Sequence, residues 1–365
     1  MTFIDALPKL SADAHVDEPH DLWFERMDPA IRDRAPRRIE TDADGGWSLV
    51  VNGDALGWNA LSYEDAAANE TARLDAVTPD VRLAMMQTDG INGEIVYPTI
   101  GLYAWNITDP QVGEATCRIY NDWILERLGG EPRIKLAAML PTWSVDMARA
   151  EIARVADHDS VGALLLPLVG SPEWNLPQWE PLWAAISEAG LPVAMHQGTG
   201  HDMIFYRGWG SATANLLATQ SMASRATALL SCSGVLERHL ALHVVLVECN
   251  AGWIAWTMNT LDEYYLAHEA WSKPKLAELP SYYIRSQVHA TFQTDVLALR
   301  NVSVTGPECL LWGNDYPHPE STYPHSRAVL EKVLDGVDEA TARAVVGGNA
   351  ARLFGFSADV TLTRP

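Results

Sequence analysis

The sequence predicts a single α/β domain folded as a (β/α)8 TIM barrel with insertions after strands 1, 5 and 6. Three observations lead to this prediction: the length of 365 residues, a series of short apolar runs, and the helix-length intervals between those runs. A (β/α)8 barrel takes about 250 residues, so this chain has room for insertions. Its 48% hydrophobic residues supply a large core, and with 20% charged residues the composition excludes a disordered chain.

Eight apolar runs, each followed by a polar or Gly/Pro-rich tip, are the candidate barrel strands. Continuous apolar runs are typical of parallel strands that are buried on both faces. The runs are Lys9–His15, Gly93–Thr99, Ile134–Pro141, Gly162–Leu168, Leu191–His196, Val244–Glu248, Val288–Phe292 and Cys309–Asp315. A doubly wound open sheet is the rival fold, but it usually carries a Gly-rich turn after its first strand, which this sequence lacks.

Three intervals are longer than one helix and predict the insertions: residues 20–85, 197–240 and 253–287. Insertions at the carboxyl ends of barrel strands surround the active site, so we expect these segments to form its rim and lid. No linker-like composition divides residues 1–365, which we therefore assign to one domain.

The charge balance narrows the possible partners. The chain has 26 basic and 47 acidic residues, a formal net charge of −21, which repels nucleic acid and anionic membranes. No apolar stretch reaches the ~18 residues of a membrane span, and the first residues do not resemble a signal peptide. The four cysteines are widely spaced and predict reduced thiols. We expect a soluble, cytoplasmic protein, and the sequence leaves a homo-oligomer open.

Ionisable residues collect at the ends of several predicted strands. Residues i and i+2 of a strand share a face, so Asp13 and His15 are both expected to point into the barrel mouth, with Glu18 close behind them. Each of these side chains alone is more often structural than catalytic. Together they predict a metal site at the carboxyl end of the barrel. The candidate ligands are Asp13, His15, Glu18, His196, Glu248 and Asp315.

Charge neutrality suggests how many ions this site holds. Four carboxylates carry −4, so one divalent ion would leave about −2 uncompensated in a confined site, whereas two divalent ions restore neutrality. A carboxylate-rich set of oxygen and nitrogen ligands suits iron or manganese better than zinc. The expected number of ions depends on Glu18, because a Glu18 side chain that turns outward would shift the charge balance toward one metal.

Four segments together resemble the amidohydrolase-2 group of metal-dependent TIM-barrel proteins. These segments are DAHVDEP, LPVAMHQG, VVLVECNAGW and LLWGNDYPHPESTYPHS, and the resemblance covers roughly residues 10–355. It implies that His15, His196 and Asp315 are retained metal ligands. Two positions depart from the pattern: Asp13 stands where histidine or glutamate is usual, and Glu248 stands where a catalytic histidine is usual. The second departure replaces a proton shuttle by a group that is normally ionised.

A carboxylate-enriched branch of that superfamily is the more similar one: the TIM-barrel non-heme diiron monooxygenases of platensimycin and platencin biosynthesis. This resemblance implies two Fe ions, O2 as co-substrate, and hydroxylation of an unactivated C–H bond of a bulky acyl-CoA, a diterpenoid carried on coenzyme A. The chain has no flavin or nicotinamide fingerprint, so an external reductase or ferredoxin would supply electrons. Two function classes remain as alternatives: a mononuclear hydrolase or non-oxidative decarboxylase in which Asp315 moves protons, and a barrel that keeps a metal without catalysis.

Further residues are weaker candidates for supporting roles. His289 and His318 are candidates for holding the ligands through hydrogen bonds, although a purely structural role at a turn is the conservative reading of His318. Arg34, Arg37 and Arg38, in a cluster with Arg32, could meet the phosphates of coenzyme A, or could equally form an exposed face paired with acids. Trp58 and Trp105 could contact a polycyclic substrate, while packing of the barrel against its insertions is the plainer explanation.

Overall fold

Eight parallel strands form a nearly closed barrel with helices between them in the computed structural model of the chain, which confirms the predicted (β/α)8 TIM barrel. The structure describes residues 3–40, 47–52, 54–56, 76–200, 206–318 and 320–362. The strands of the described part are β1 (Leu10–Val16), β2 (Arg37–Glu40), β3 (Trp47–Val51), β4 (Asp54–Leu56), β5 (Gly93–Pro98), β6 (Ile134–Met139), β7 (Val161–Val169), β8 (Val193–Gly200), β9 (Val244–Val247), β10 (Val288–Phe292) and β11 (Leu310–Trp312).

The barrel strands follow in the order β1-β5-β6-β7-β8-β9-β10-β11, so each strand pairs with the next one along the chain. All eight apolar runs of the sequence overlap one of these strands. The reason is burial: every residue of β1 and of β5 is buried, as are the first eight residues of β7. Strands covered by side chains on one face and helices on the other carry no alternating polar pattern.

The barrel closes where β1 meets the segment after β11. The backbone N–H of His15 donates to the carbonyl of Tyr316 at 2.6 Å, and the N–H of Asp315 donates to the carbonyl of Asp13 at 2.8 Å. Gly313 permits this approach, because a Cβ atom built on it would lie 2.5 Å from the Cβ of Asp13. The closure therefore brings two residues of the predicted ligand set side by side.

The helices of the described part have recognisable ends. They are α1 (Leu22–Arg26), α2 (Pro79–Asp89), α3 (Pro110–Leu128), α4 (Val145–Val155), α5 (Glu180–Ala189), α6 (Ser211–Cys232), α7 (Val235–Arg238), α8 (Trp253–Ala267), α9 (Pro280–Gln287), α10 (Val296–Arg300), α11 (Val302–Thr305), α12 (Ser326–Val333), α13 (Glu339–Arg343), α14 (Asn349–Phe354) and α15 (Ala358–Leu362). Asp109 caps α3 by accepting from the N–H of Gln111 at 2.9 Å, and Gly90 ends α2 at φ 75°. None of the described helices is long and apolar enough to cross a membrane.

The predicted insertions contain regular structure, and their boundaries differ from the sequence-based ones. Residues 20–85 include α1, the antiparallel sheet β2-β3-β4 and the start of α2, which continues beyond residue 85. Strand β8 runs on to Gly200, inside the segment 197–240, before α6 and α7. Residues 253–287 are mostly the two helices α8 and α9. That these segments form a rim and lid stays a prediction.

Candidate metal centre

Five of the six predicted ligands converge at the carboxyl end of the barrel, and His318 joins them. Their ligand atoms form two overlapping groups of four side chains, each with all its atoms within 4.8 Å of one another. The first group is Asp13, His15, His196 and Glu248, and the second is His15, Glu248, Asp315 and His318. Two of the six side chains come from β1, one comes from β8, one follows β9 and two follow β11. The barrel therefore builds one compact cluster from residues far apart in sequence.

Two imidazoles in this cluster face each other. His15 Nδ1 lies 2.9 Å from the carbonyl oxygen of Pro98, and His196 Nδ1 lies 2.8 Å from that of Gln197. A carbonyl oxygen only accepts, so each Nδ1 carries the proton and each Nε2 presents a lone pair when the ring is neutral. The two Nε2 atoms are 3.0 Å apart. This arrangement suits a shared proton or a shared cation.

Three carboxylates surround the same point. The nearest oxygen of Asp13 is 3.4 Å from His15 Nε2, that of Asp315 is 3.6 Å away and that of Glu248 is 3.9 Å away. Asp13 Oδ1 is buried and accepts no hydrogen bond from any described residue. A buried carboxylate oxygen without a donor is costly unless a cation fills the space beside it.

The other oxygen of each carboxylate is held by a neutral side chain. Thr291 Oγ1 donates to Asp13 Oδ2 at 3.1 Å, and Gln293 Nε2 donates to Asp315 Oδ2 at 2.8 Å. Gln197 Nε2 donates to Glu248 Oε1. None of these three donors was among the residues predicted from the sequence. Their signal was position, since Gln197 directly follows a predicted ligand and the other two stand at the end of β10.

The backbone that carries two of the carboxylates is in the left-handed region. Glu248 has φ 57° and Asp315 has φ 56°, values that non-glycine residues adopt at a cost. Thr291 helps to hold the first, because its Oγ1 accepts from the N–H of Glu248 at 2.7 Å. Asp295 fixes the loop that follows, accepting from the N–H groups of Ala251 and Gly252 at 2.9 and 2.6 Å. Strained backbone held in this way marks a functional site.

Glu18 lies outside the cluster, which revises its prediction as a ligand. Its Oε1 accepts from the N–H of Gly101 at 2.8 Å, and its Oε2 accepts from those of Ile100 at 2.9 Å and Thr99 at 3.3 Å. These amides begin the short 3₁₀ helix Ile100–Asn106, whose orphan N–H groups attract a carboxylate. Glu18 is completely buried, and burial raises its pKa to about 7 despite these hydrogen bonds.

The two histidines predicted to support the ligands lie in different places. His318 belongs to the cluster itself, with Nδ1 2.8 Å from Asp315 Oδ1 and its ring 4.1 Å from that of His15. His289 does not support the ligands, because its Nδ1 lies 2.7 Å from the carbonyl oxygen of Glu308 and its Nε2 3.0 Å from His243. It stands on β10 two residues before Thr291, toward the amino end of the strand. The prediction for His289 is corrected on this ground.

The predicted substrate-binding residues are not gathered at the cluster. Arg34 forms an ion pair with Asp109, and Arg38 contacts His20. Arg37 is half-buried at the start of β2. Trp105 is packed in the core with 2% of its surface exposed, and its indole N–H donates to the carbonyl of Leu140 at 3.1 Å, which leaves it no surface for a substrate. Trp58 lies outside the described residues.

Burial and mutual repulsion shift the ionisation of the cluster. Burial raises the pKa of Asp13, and burial with repulsion from Asp315 and Asp13 raises that of Glu248 well above its usual value. Burial also raises the pKa of Asp315 to about 6. For His196 burial, followed by the neighbouring His15, lowers the pKa to about 3.

His318 shifts in the opposite direction to His196. Burial alone would lower its pKa, but the adjacent Asp315 carboxylate, together with the charges of Glu320 and Asp17, outweighs burial and raises it. Both shifts favour a proton in the Asp315–His318 pair, whose Oδ1 and Nδ1 atoms lie 2.8 Å apart at the edge of the cluster.

A cavity of about 180 Å³ opens beside the cluster. Its described lining consists of the carboxylates of Asp13, Glu248 and Glu320, the amides of Gln197, Gln220, Asn250 and Gln293, the hydroxyl of Thr291, and the apolar side chains of Leu216 and Phe292. No lysine or arginine is among the described lining residues. The cavity is smaller than the roughly 300–1,000 Å³ of pockets for drug-sized ligands.

The donor set fits a divalent cation. It combines carboxylate oxygens with imidazole nitrogens, and it includes no cysteine among the described residues. The unbonded oxygen of Asp13 and the two converging Nε2 atoms are the features that a cation would satisfy.

The family model described as Amidohydrolase matches residues 12–356. The chain therefore belongs to the amidohydrolase family, as its sequence motifs predicted. None of the curated proteins compared matches it significantly.

Solved structures with low sequence identity share the fold. An amidohydrolase from Mycobacterium avium subsp. paratuberculosis K-10 superposes with a TM-score of 0.78 at 19% identity, covering 97% of this chain and 99% of that one. A 5-carboxyvanillate decarboxylase from Sphingomonas paucimobilis gives 0.73 at 22% identity, covering 96% and 100%. A dihydroxybenzoic acid decarboxylase from Polaromonas sp. JS666, with bound manganese and the inhibitor 2-nitroresorcinol, gives 0.67 at 17% identity, covering 98% and 100%.

Proposed function

We propose that this chain is a metal-dependent enzyme that cleaves a bond of a small carboxylate without oxidation, as a non-oxidative decarboxylase or a related hydrolase. The observation that carries the proposal is the charge of the cluster. With Glu18 bound by backbone amides, three carboxylates remain in the cluster, and they carry −3 when all are ionised, with Glu320 lining the adjacent cavity. One divalent cation and one proton on the Asp315–His318 pair bring the sum to zero. A second dication is then not needed for neutrality.

The side chains present suit decarboxylation. A divalent cation would bind and polarise the anionic oxygens of a substrate. The bond between the substrate carbon and its carboxylate must then break, with the electron pair left on carbon, and a proton must reach that carbon as CO2 leaves. The Asp315–His318 pair, with 2.8 Å between Oδ1 and Nδ1, is the proton store next to the cavity.

The cavity supports a small substrate. About 180 Å³ accommodates a single ring more readily than a polycyclic acyl group. Two similar solved structures are decarboxylases named for single-ring carboxylates, which is consistent with this size. The described lining offers no cationic side chain for the phosphates of coenzyme A.

A diiron monooxygenase is the second candidate, and Glu248 is the observation that favours it. A carboxylate stands where the family usually has a histidine, and the two groups of four ligands share His15 and Glu248. Two Fe ions, O2, an acyl-CoA such as a diterpenoid thioester, and an external reductase or ferredoxin would then be required. Carboxylates suit iron chemistry because they accommodate changes in charge.

One experiment separates the two candidates. The protein is loaded anaerobically with Mn²⁺ or Fe²⁺, its metal content is measured by inductively coupled plasma mass spectrometry, and CO2 release and O2 consumption are followed with a panel of hydroxybenzoates. We expect one ion per chain and CO2 release without O2 consumption. Two Fe per chain with O2-dependent hydroxylation would overturn the proposal in favour of the monooxygenase. Asp315→Asn should weaken ion binding and should lack turnover even at Mn²⁺ concentrations that saturate the site.

A further inference from the structure

We propose that Thr291, Gln197 and Gln293 are positioning residues that make each carboxylate of the cluster a one-oxygen ligand. This inference rests on the proposed function and concerns how the chain prepares its centre for a single ion. Each of the three residues donates to one oxygen of one carboxylate, and no two of them donate to the same carboxylate.

In each carboxylate, the oxygen that none of these three donors holds is the one that faces the imidazoles. Asp13 Oδ1 is 3.4 Å from His15 Nε2 and 3.9 Å from His196 Nε2. Glu248 Oε2 is 3.3 Å from His196 Nε2, and Asp315 Oδ1 is 3.6 Å from His15 Nε2. The tethered oxygens thus point away from the imidazoles, and the cluster offers three single oxygens rather than three pairs.

All three donors are neutral, and this matters for the ion count. A neutral donor orients a carboxylate without cancelling its charge, so the −3 of the cluster remains available to a cation. A carboxylate that bridges two ions through both of its oxygens would have to share the oxygen held by Thr291, Gln197 or Gln293 between that donor and the second ion. The three donors therefore disfavour a pair of ions bridged through both oxygens of one carboxylate.

Thr291 occupies the central place among the three donors. Its hydroxyl donates to Asp13 Oδ2 at 3.1 Å and accepts from the backbone N–H of Glu248 at 2.7 Å. One hydroxyl group on β10 thereby links the carboxylate from β1 to the strained backbone after β9. Gln197 is itself oriented, since its Oε1 lies 3.2 Å from the hydroxyl of Thr219 and its Nε2 is left for Glu248.

The test uses the variants Thr291→Val, Gln197→Leu and Gln293→Leu, each of which removes one donor at nearly constant size. Thr291→Ser is the conservative rescue, and Thr257→Val is the matched control, because Thr257 is equally buried on α8 and is not part of the cluster. The readouts are the Mn²⁺ dissociation constant, the number of bound ions, and the electron paramagnetic resonance spectrum of the bound Mn²⁺. Thermal unfolding of each metal-free variant shows whether it folds.

We expect Mn²⁺ affinity to fall about 10- to 100-fold in the three donor variants, with an altered zero-field splitting of the bound Mn²⁺. Thr291→Ser and Thr257→Val should stay within about twofold of the parent protein. Folded donor variants with unchanged affinity and spectrum would overturn the positioning role. That failure differs from failure of the proposed function, which would appear as a parent protein that binds one ion yet releases no CO2 from any carboxylate tested.

Discussion

His15 and His196 direct their Nε2 atoms at each other across 3.0 Å, while the Nδ1 of each ring is hydrogen-bonded to a backbone carbonyl oxygen. Two neutral rings fixed in this way place two lone pairs in contact. A cation between the rings and the carboxylates relieves that repulsion, and the folded state is the one that presents the site. Binding of a metal should therefore stabilise the fold.

The first prediction follows from this coupling. Mn²⁺ at about 100 times its dissociation constant should raise the free energy of unfolding by about 2.7 kcal/mol, because the ion binds the folded chain only. Thermal unfolding with Mn²⁺ and with a chelator measures the effect, and His196→Asn should remove most of it. Equal unfolding temperatures in the two buffers would contradict a metal site at this cluster.

Asp13 gives a second prediction, in which stability and metal affinity move in opposite directions. Asp13→Asn removes one of three buried carboxylates whose charges repel one another, so the metal-free variant should be more stable than the parent protein. The same change should weaken Mn²⁺ binding at least tenfold, since an anionic ligand is lost. Urea unfolding and metal titration measure both. Asp157→Asn, an exposed carboxylate, is the control and should change neither quantity.

The buried ion pair of Arg82 with Glu94 gives a third prediction. Both side chains are buried, and Arg82 also donates to the carbonyl of His15 at 2.6 Å and lies over the ring of Tyr316 at 5.2 Å. Arg82→Met leaves the carboxylate of Glu94 buried and unpaired, which should cost about 3–5 kcal/mol of stability.

The double variant Arg82→Met/Glu94→Gln should recover part of that loss, because no unpaired charge remains. Urea unfolding of the four proteins of this cycle measures the coupling between the two residues. A double variant that is as unstable as the sum of the two single variants would show that the charges do not act as a pair.

His289 gives a prediction for the dependence of stability on pH. Burial lowers its pKa to about 3 in the folded chain, whereas an unfolded histidine titrates near 6.5. Between these values the unfolded state binds a proton that the folded state does not. The contribution of His289 is therefore fully present above about pH 6.5 and falls by roughly 1.4 kcal/mol per pH unit as the pH drops toward 3.

The variant His289→Asn should flatten this dependence. Urea midpoints measured from pH 7.5 to 4.5 should decline less steeply than in the parent protein. His268→Asn, which alters an exposed histidine, is the control and should leave the slope unchanged. An unaltered slope in His289→Asn would mean that another group dominates the acid sensitivity.

The fold was predictable because the signals for it are local. Continuous apolar runs such as β7 and β10 identify buried parallel strands without any knowledge of their partners. The convergence of Asp13, His15 and Asp315 was predictable for the same reason, since they stand at the ends of such runs.

The rest of the site depends on contacts between residues that are far apart in the sequence, and no local sequence pattern indicates such contacts. Glu18 follows β1 as closely as a ligand would, but the amides of a distant 3₁₀ helix bind it. His289 lies on a strand that serves the site, yet toward the wrong end of it. Thr291 and Gln293 are ordinary polar residues, and only the closed barrel brings them to the carboxylates of β1 and of the loop after β11.

Gly313 lies at a close approach between β1 and the loop that follows β11. Since an added methyl group would sit 2.5 Å from the Cβ of Asp13, substitution by alanine forces these two segments apart. Such a protein would keep every coordinating side chain and still lose the spacing between them. The geometry of the cluster therefore depends on Gly313, a residue that has no side chain to bind a metal or a substrate. A mutational screen limited to the ionisable residues would not test this position.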